Sequence, residues 1–259
     1  MTPTAGAPQL LIHPDAAALA EVTAGRLVAS LLDAVSLRGR AHLVLTGGGV
    51  GIDVLRRLAR SPARDAVAWD RVDIWWGDER FVPAADPERN DVQARAALLS
   101  GLPLAEARVH PIGSTDTHET PEDAAAAYAE ELARAAAEDG AGAVGGPAVP
   151  AFDLLLLGIG PEGHTGSVFP ESPAAHEASR TVVGVRGCPK PPGLRVTLTL
   201  PALSAARQAW LVVAGAEKAG AVAEAFAGAG PLQLPAAGVL ARERTLWLVD
   251  AEAAGRVRR

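Results

Sequence analysis

Short apolar runs without polar alternation recur along this chain, separated by longer stretches with helical spacing. The runs are Gln9–His13, His42–Thr46, Val72–Trp76, Phe152–Gly158, Thr181–Val185, Gln208–Ala214 and Thr245–Val249. Segments of this kind read as strands buried on both faces of a parallel sheet. Between them, Asp15–Leu37, Gly51–Arg60, Asp91–Leu99, Pro121–Glu138 and Ala216–Ala227 carry the spacing and composition of helices. Strand–helix alternation implies βαβ crossovers, hence an α/β fold with a doubly wound, mostly parallel sheet and helices on both faces. Asp139–Pro150, DGAGAVGGPAVP, reads as a flexible surface excursion within one domain, because the flanking strands belong to one sheet. Residues 1–259 are therefore expected to form a single α/β domain, ending in a solvated, mobile tail at Gly255–Arg259.

Composition narrows the function classes. A hydrophobic fraction of 49% suits a sizeable core, and a formal charge of −6 argues against nucleic acid or an anionic membrane as partner. The apolar runs are far shorter than the ~20 residues of a membrane helix. The N-terminal segment lacks the basic and apolar regions of a secretion signal. Cys188, the single cysteine, cannot form an internal disulfide and fits a reducing cytoplasm. Of the 24 Lys and Arg residues, only Lys190 and Lys218 are lysine. In a chain biased towards arginine, they mark positions suited to a compact ammonium. The chain is expected to act as a monomer.

Chemistry concentrates in four segments. Thr46-Gly47-Gly48-Gly49 ends a strand and opens a helix, where backbone N–H groups and the helix dipole can cradle an anion. It is neither a Walker loop nor a dinucleotide fingerprint, since no G-K-[ST] follows and the third glycine of G-x-G-x-x-G is missing. Asp78, Glu79 and Arg80 follow the Val72–Trp76 run immediately. At the carboxyl edge of a parallel sheet, where ligands bind, Arg80 could polarise a carbonyl or hold an anion. His164 lies just past the Phe152–Gly158 run, in a glycine-rich turn, and near neutral pH can take or give a proton. Glu162, Asp78 and Asp153 are each chemically able to orient it. His13, His42, His110, His118 and His176 read as structural, and no metal-ligand spacing is present. Finally, Lys190, Arg195 and Lys218 supply local positive charge suited to a phosphorylated small molecule.

Together these segments resemble the 6-phosphogluconolactonase family, within the glucosamine-6-phosphate deaminase-like superfamily. Gly158–Pro170 matches G-x-G-P-[DE]-G-H-T-x-S-x-F-P, with Glu162 where aspartate is commoner and Gly166 where alanine or cysteine is. Gly77–Pro83 matches G-D-E-R-x-V-P, and Pro189–Thr199 matches P-K-P-P-x-x-R-x-T-L-T. Thr46-Gly-Gly-Gly-Val replaces the usual S-G-G-S-T-P but keeps its glycines. The likeness covers about residues 10 to 250. It implies a Rossmann-like fold, no cofactor, and hydrolysis of 6-phospho-D-glucono-1,5-lactone to 6-phosphogluconate in the oxidative pentose phosphate route. On this resemblance His164 is the general base and Arg80 a catalytic-pocket residue near the lactone. Thr46, Gly47, Gly48, Lys190, Arg195 and Lys218 form the sugar-phosphate site.

The residues bear on two other readings. A deaminase–isomerase acting on glucosamine 6-phosphate carries D-G-H-x-x-x-x-E, but the glutamate position here is Phe169, which cannot transfer a proton. A sugar-phosphate sensor carries an added DNA-binding segment, and the residues before the first strand leave no room for a helix-turn-helix.

Overall fold

The computed structural model describes residues 6–140 and 146–257. Residues 141–145 of the expected excursion and 258–259 of the tail lie outside these. The chain runs β1 (Gln9–His13), α1 (Ala16–Arg38), β2 (Ala41–Leu45), α2 (Gly49–Arg60), β3 (Val72–Trp76) and β4 (Asp78–Arg80). It continues through α3 (Asn90–Ala97), α4 (Pro121–Glu138), β5 (Leu154–Leu157), β6 (Val182–Val185) and β7 (Arg195–Leu198). The last elements are α5 (Leu200–Ser204), β8 (Gln208–Val213), α6 (Ala219–Phe226) and β9 (Arg244–Asp250). Six strands form one parallel sheet in the order β1-β9-β8-β5-β2-β3. Every residue of β2, β3 and β5 is buried, as expected for strands covered on both faces.

Local chemistry sets the helix ends. Asp15 caps α1 by accepting from the Ala18 N–H at 2.8 Å, and Gly39, at φ 78°, closes it by donating to Val35 O. Thr120 and Asp123 form a reciprocal capping box at α4. From α4, buried Tyr128 accepts from the Trp76 N–H at 3.0 Å and donates to Trp76 O at 3.2 Å, satisfying the end of β3.

Thr181–Val185, expected in the parallel sheet, contributes instead to a second, three-stranded antiparallel sheet, β4-β7-β6. Parallel strands need a crossover connection, whereas β6 and β7 are joined by a short loop without a helix. The two sheets meet at Gly77, whose N–H donates to Leu45 O at 3.2 Å and whose carbonyl accepts from Leu198 N–H at 2.9 Å. The chain keeps to turns as it enters the expected tail, where Gly255 and Arg256 are exposed. Residues 251–256 form turns, Ala253 is buried with its N–H on Asp250 Oδ1 at 2.8 Å, and Val257 packs on the core.

Candidate active site

Strands β8, β5, β2 and β3 are consecutive neighbours in the parallel sheet, so the loops leaving their carboxyl ends share one edge. Lys218 follows β8, His164 follows β5, Thr46–Gly48 follow β2, and Arg80 ends β4 just beyond β3. This is where ligands bind in open α/β sheets. Lys190 and Arg195 reach the same region from the β6–β7 hairpin, and Arg195 lies directly opposite Arg80 in the β4–β7 ladder.

The loop after β5 is tied tightly around His164. The Gly160 N–H donates to His164 O at 2.9 Å, and Thr165 Oγ1 donates to Gly158 O at 2.9 Å. Gly163 sits at φ 87°, and a Cβ there would overlap Leu234. A Cβ on Gly160 would overlap the imidazole itself. Ser167 fastens the loop to the small sheet, its hydroxyl donating to Asp78 Oδ2 at 2.7 Å and its N–H to Thr197 Oγ1 at 3.2 Å.

Glu162 is the carboxylate that meets the imidazole, with Oε1 2.7 Å from His164 Nδ1. That contact assigns the proton of the neutral ring to Nδ1 and leaves the Nε2 lone pair free. Asp153 is excluded as an orienter: at the opposite end of β5, it binds Arg38 at 2.7 Å and the His42 N–H at 2.8 Å. The His164 ring packs on Phe169, centroids 4.5 Å apart. Burial pushes the His164 pKa below the usual histidine value; Glu162 opposes this and the Lys190 charge adds to it. Burial works to raise the Glu162 carboxyl, but its own N–H, His164 and Lys190 together hold it below the usual value.

On the anion side, Gly48 adopts φ 86° and Gly49 begins α2, whose first turn has no side-chain cap. A Cβ on either glycine would meet nothing within 4 Å, and both residues are exposed. An uncapped helix N-terminus behind open glycines is a ready anion site. Gly47 is different, because a Cβ there would overlap the Asn90 carboxamide. Thr46 is buried beneath the turn, its methyl 2.9 Å from where a Cβ on Gly51 would fall.

The cations separate into two kinds. Lys190 Nζ lies 3.7 Å from Glu162 Oε2. The Lys218 ammonium is held below its usual pKa by burial first and by the Lys190 charge second, against Glu217 and Glu162. Lys190, Lys218, Glu162 and His164 thus form one electrostatic cluster. Arg195 is instead occupied: it donates to Pro192 O at 3.2 Å, Lys190 O at 3.1 Å and Pro191 O at 3.3 Å, and is buried. Its guanidinium pins the turn that carries Lys190. Arg80 Nη1 donates to Asn90 Oδ1. Arg80 also lines a groove of about 570 Å³ with Gly48, Gly49, Arg56 and Arg60. The latter two went unnoticed in the sequence, where arginine is too common to be a signal.

Replacing Arg195 with alanine therefore removes three bonds to carbonyls of its own hairpin as well as any charge presented to a ligand. Each such bond contributes roughly 1 kcal/mol or more. We expect Arg195→Ala to lower the thermal midpoint by several degrees and to raise KM together. A raised KM with an unchanged midpoint in calorimetry would mean that Arg195 contacts the ligand directly.

His42 and His110 stand apart, in an ion-pair network with Asp73 and Asp139 at the amino ends of β2 and β3. Burial raises the Cys188 thiol pKa, consistent with an inert side chain. Among the described residues, no group of His, Cys, Asp and Glu could hold a metal, and no helix is long and apolar enough to cross a membrane.

A family model described as glucosamine-6-phosphate isomerases/6-phosphogluconolactonase matches residues 14–247. The 6-phosphogluconolactonase of Streptomyces coelicolor is 52% identical over 254 residues, covering 97% of this chain and 95% of its own length. The solved structure of 6-phosphogluconolactonase from Trypanosoma brucei is similar at a TM-score of 0.82 and 26% identity, covering 97% of this chain and 99% of that one. A monomeric glucosamine-6-phosphate deaminase shares the fold, with a TM-score of 0.77 at 19% identity over 96% of this chain and 99% of its own.

Proposed function

The chain belongs to the glucosamine-6-phosphate isomerase/6-phosphogluconolactonase family, and on that premise we propose how its carboxyl-edge site works. The activity is hydrolysis of 6-phospho-D-glucono-1,5-lactone to 6-phospho-D-gluconate, a step of the pentose phosphate pathway. His164 Nε2 removes a proton from water as the oxygen attacks C1 of the lactone. The resulting oxyanion collapses, the bond from C1 to the ring oxygen breaks, and the imidazolium returns its proton to that oxygen. The new acid group ionises and releases one proton to solvent. Arg80 faces the reacting carbonyl and stabilises its developing charge. The phosphate rests on the Thr46–Gly48 turn with Lys218 and Lys190, while Arg195 serves through the turn it pins.

The observation that carries this reading is the Glu162–His164 contact, on the same sheet edge as the exposed Gly48–Gly49 turn and Lys218. A lactone is an activated ester that already hydrolyses in water, so the demand is modest. General-base catalysis supplies about 10²–10⁴-fold, and phosphate anchoring holds the carbonyl in register with the base. Phe169 against the imidazole, where a deaminase carries glutamate, favours hydrolysis over amine release.

The test mixes purified protein with freshly generated lactone and follows acid release above the spontaneous rate. Faster acid release supports the proposal, and ammonia from glucosamine 6-phosphate overturns it. Binding without turnover would instead indicate a sensor. We further propose that the protein works in the cytoplasm as a monomer on this small-molecule substrate, with no nucleic acid or membrane partner and no cofactor.

The pH profile follows from the signs above. The base must be neutral, so kcat/KM rises with pH through the His164 pKa, which burial places below the ordinary ~6.5. Glu162 stabilises the protonated ring, so Glu162→Gln moves the midpoint of that rise to lower pH. Lys190 disfavours the protonated ring, so Lys190→Ala moves it to higher pH. Initial rates across the acidic range, corrected for spontaneous hydrolysis, read both shifts, and two shifts of the same sign would contradict this account of the cluster.

A further inference from the structure

The Arg80 guanidinium has one protein partner among the described residues, Asn90 Oδ1, and its Nε is buried without any. Asn90 is itself 1% exposed and fixed at several points. Its Nδ2 donates to Asp78 O at 2.8 Å. Its backbone N–H donates to Glu79 Oε1 at 2.7 Å. Glu79 also accepts from the Asp91 N–H at 3.0 Å and from the Arg80 N–H at 2.8 Å. The Glu79 carboxylate therefore caps α3 from β4, where the N-cap residue Arg89 provides no side-chain cap. Asn90 is the first residue of that capped turn, so its carboxamide has little freedom.

The same carboxamide lies against the glycine turn, at the place a Cβ on Gly47 would occupy. Its other neighbour, Asp78, accepts from Ser167 in the His164 loop. One side chain thus links the loops after β2, β3 and β5, and it ends on an arginine. A bare guanidinium on a flexible stem would sample many rotamers. A neutral acceptor holds it in place without cancelling its charge, as a carboxylate would.

Resting on the lactonase reading above, we propose that Asn90 is a positioning residue for catalysis, holding the Arg80 guanidinium beside the Gly47 turn in register with the His164 loop. Asn90 does not touch substrate. It acts through Arg80, and its loss lets the cation leave the reacting carbonyl.

A double-mutant cycle tests this. Hydrogen bonds to charged groups carry enough energy that Asn90→Ala should lower kcat/KM about tenfold or more. The loss should divide between kcat and KM as it does in Arg80→Ala. In the Arg80→Ala background, Asn90→Ala should cost nothing further. Sub-denaturing guanidinium chloride should partly restore Arg80→Ala, but restore the double variant much less. Asn90→Asp provides a same-sized second variant: it pairs the arginine with a full negative charge and should lower activity only when Arg80 is present. Losses that multiply in the double variants, or equal rescue with and without Asn90, would overturn the proposal. So would failure of both Asn90 variants to fold, which would make the residue structural. A silent Arg80→Ala would instead remove the catalytic role given to Arg80, whatever Asn90 does.

Discussion

His164→Ala should lose about 10²–10⁴-fold in kcat, the range a positioned general base supplies, while still binding 6-phosphogluconate. Among the described residues, the nearby carboxylates Glu162 and Asp78 are engaged elsewhere. Glu162 contacts the side of the ring away from Nε2, and Asp78 is engaged by Ser167. Truncation removes a ring that packs on Phe169 at the surface of the site, so the fold should persist. The assay must subtract spontaneous opening of the lactone, which sets a floor on any measured loss. Product affinity, by calorimetry, should change little, because the proposed phosphate site lies elsewhere. A variant that keeps more than a tenth of the turnover would show that Nε2 is not the base. One that loses product affinity as well would place the imidazole in binding.

Lys218→Ala should raise KM about ten- to a hundredfold and leave kcat much less affected. A charge-assisted hydrogen bond is worth roughly 1.5–3 kcal/mol, and a group that anchors a non-reacting part of the substrate appears in KM. Burial holds the Lys218 ammonium below its usual pKa, the Lys190 charge adds to this, and Glu217 and Glu162 oppose it. An incoming dianion offsets the hydration that burial takes from this ammonium, which strengthens the case for a phosphate there. Steady-state kinetics on the variant decide the point. A collapse of kcat at unchanged KM would move Lys218 to the reacting carbonyl.

Much of this was legible in the residues. Val72–Trp76 and Pro121–Glu138 read as the elements the structure contains, because an unbroken apolar run and a Thr-Pro start before an alanine-rich stretch each admit one reading. The grouping of His164, Gly47–Gly48 and Lys218 on one edge follows from parallel topology once their strands are recognised. What escaped is equally instructive. Asp78–Arg80 reads as a charged turn because its pairing with β7 is long-range, and three charged residues carry no strand signature. Thr181–Val185 looked like a parallel strand because local pattern says nothing of the partner it will find. Arg195 read as a ligand residue, whereas its guanidinium meets backbone carbonyls of its own hairpin. The orienter of His164 was undetermined among three carboxylates, and only distance separates them. Asn90, within the Asp86–Asn90 extension of the Asp78–Arg80 segment, carries no readable role of its own, since a buried asparagine acquires meaning only from what surrounds it.

A crystal structure with 6-phosphogluconate bound tests the central claim most directly. We expect the phosphate on the Gly47–Gly48 amides within reach of Lys218, and the carboxylate carbon about 3–4 Å from His164 Nε2, as a near-attack geometry requires. A product bound the other way round, with its phosphate against His164, or lying wholly in the groove beyond Arg56 and Arg60, would contradict the account.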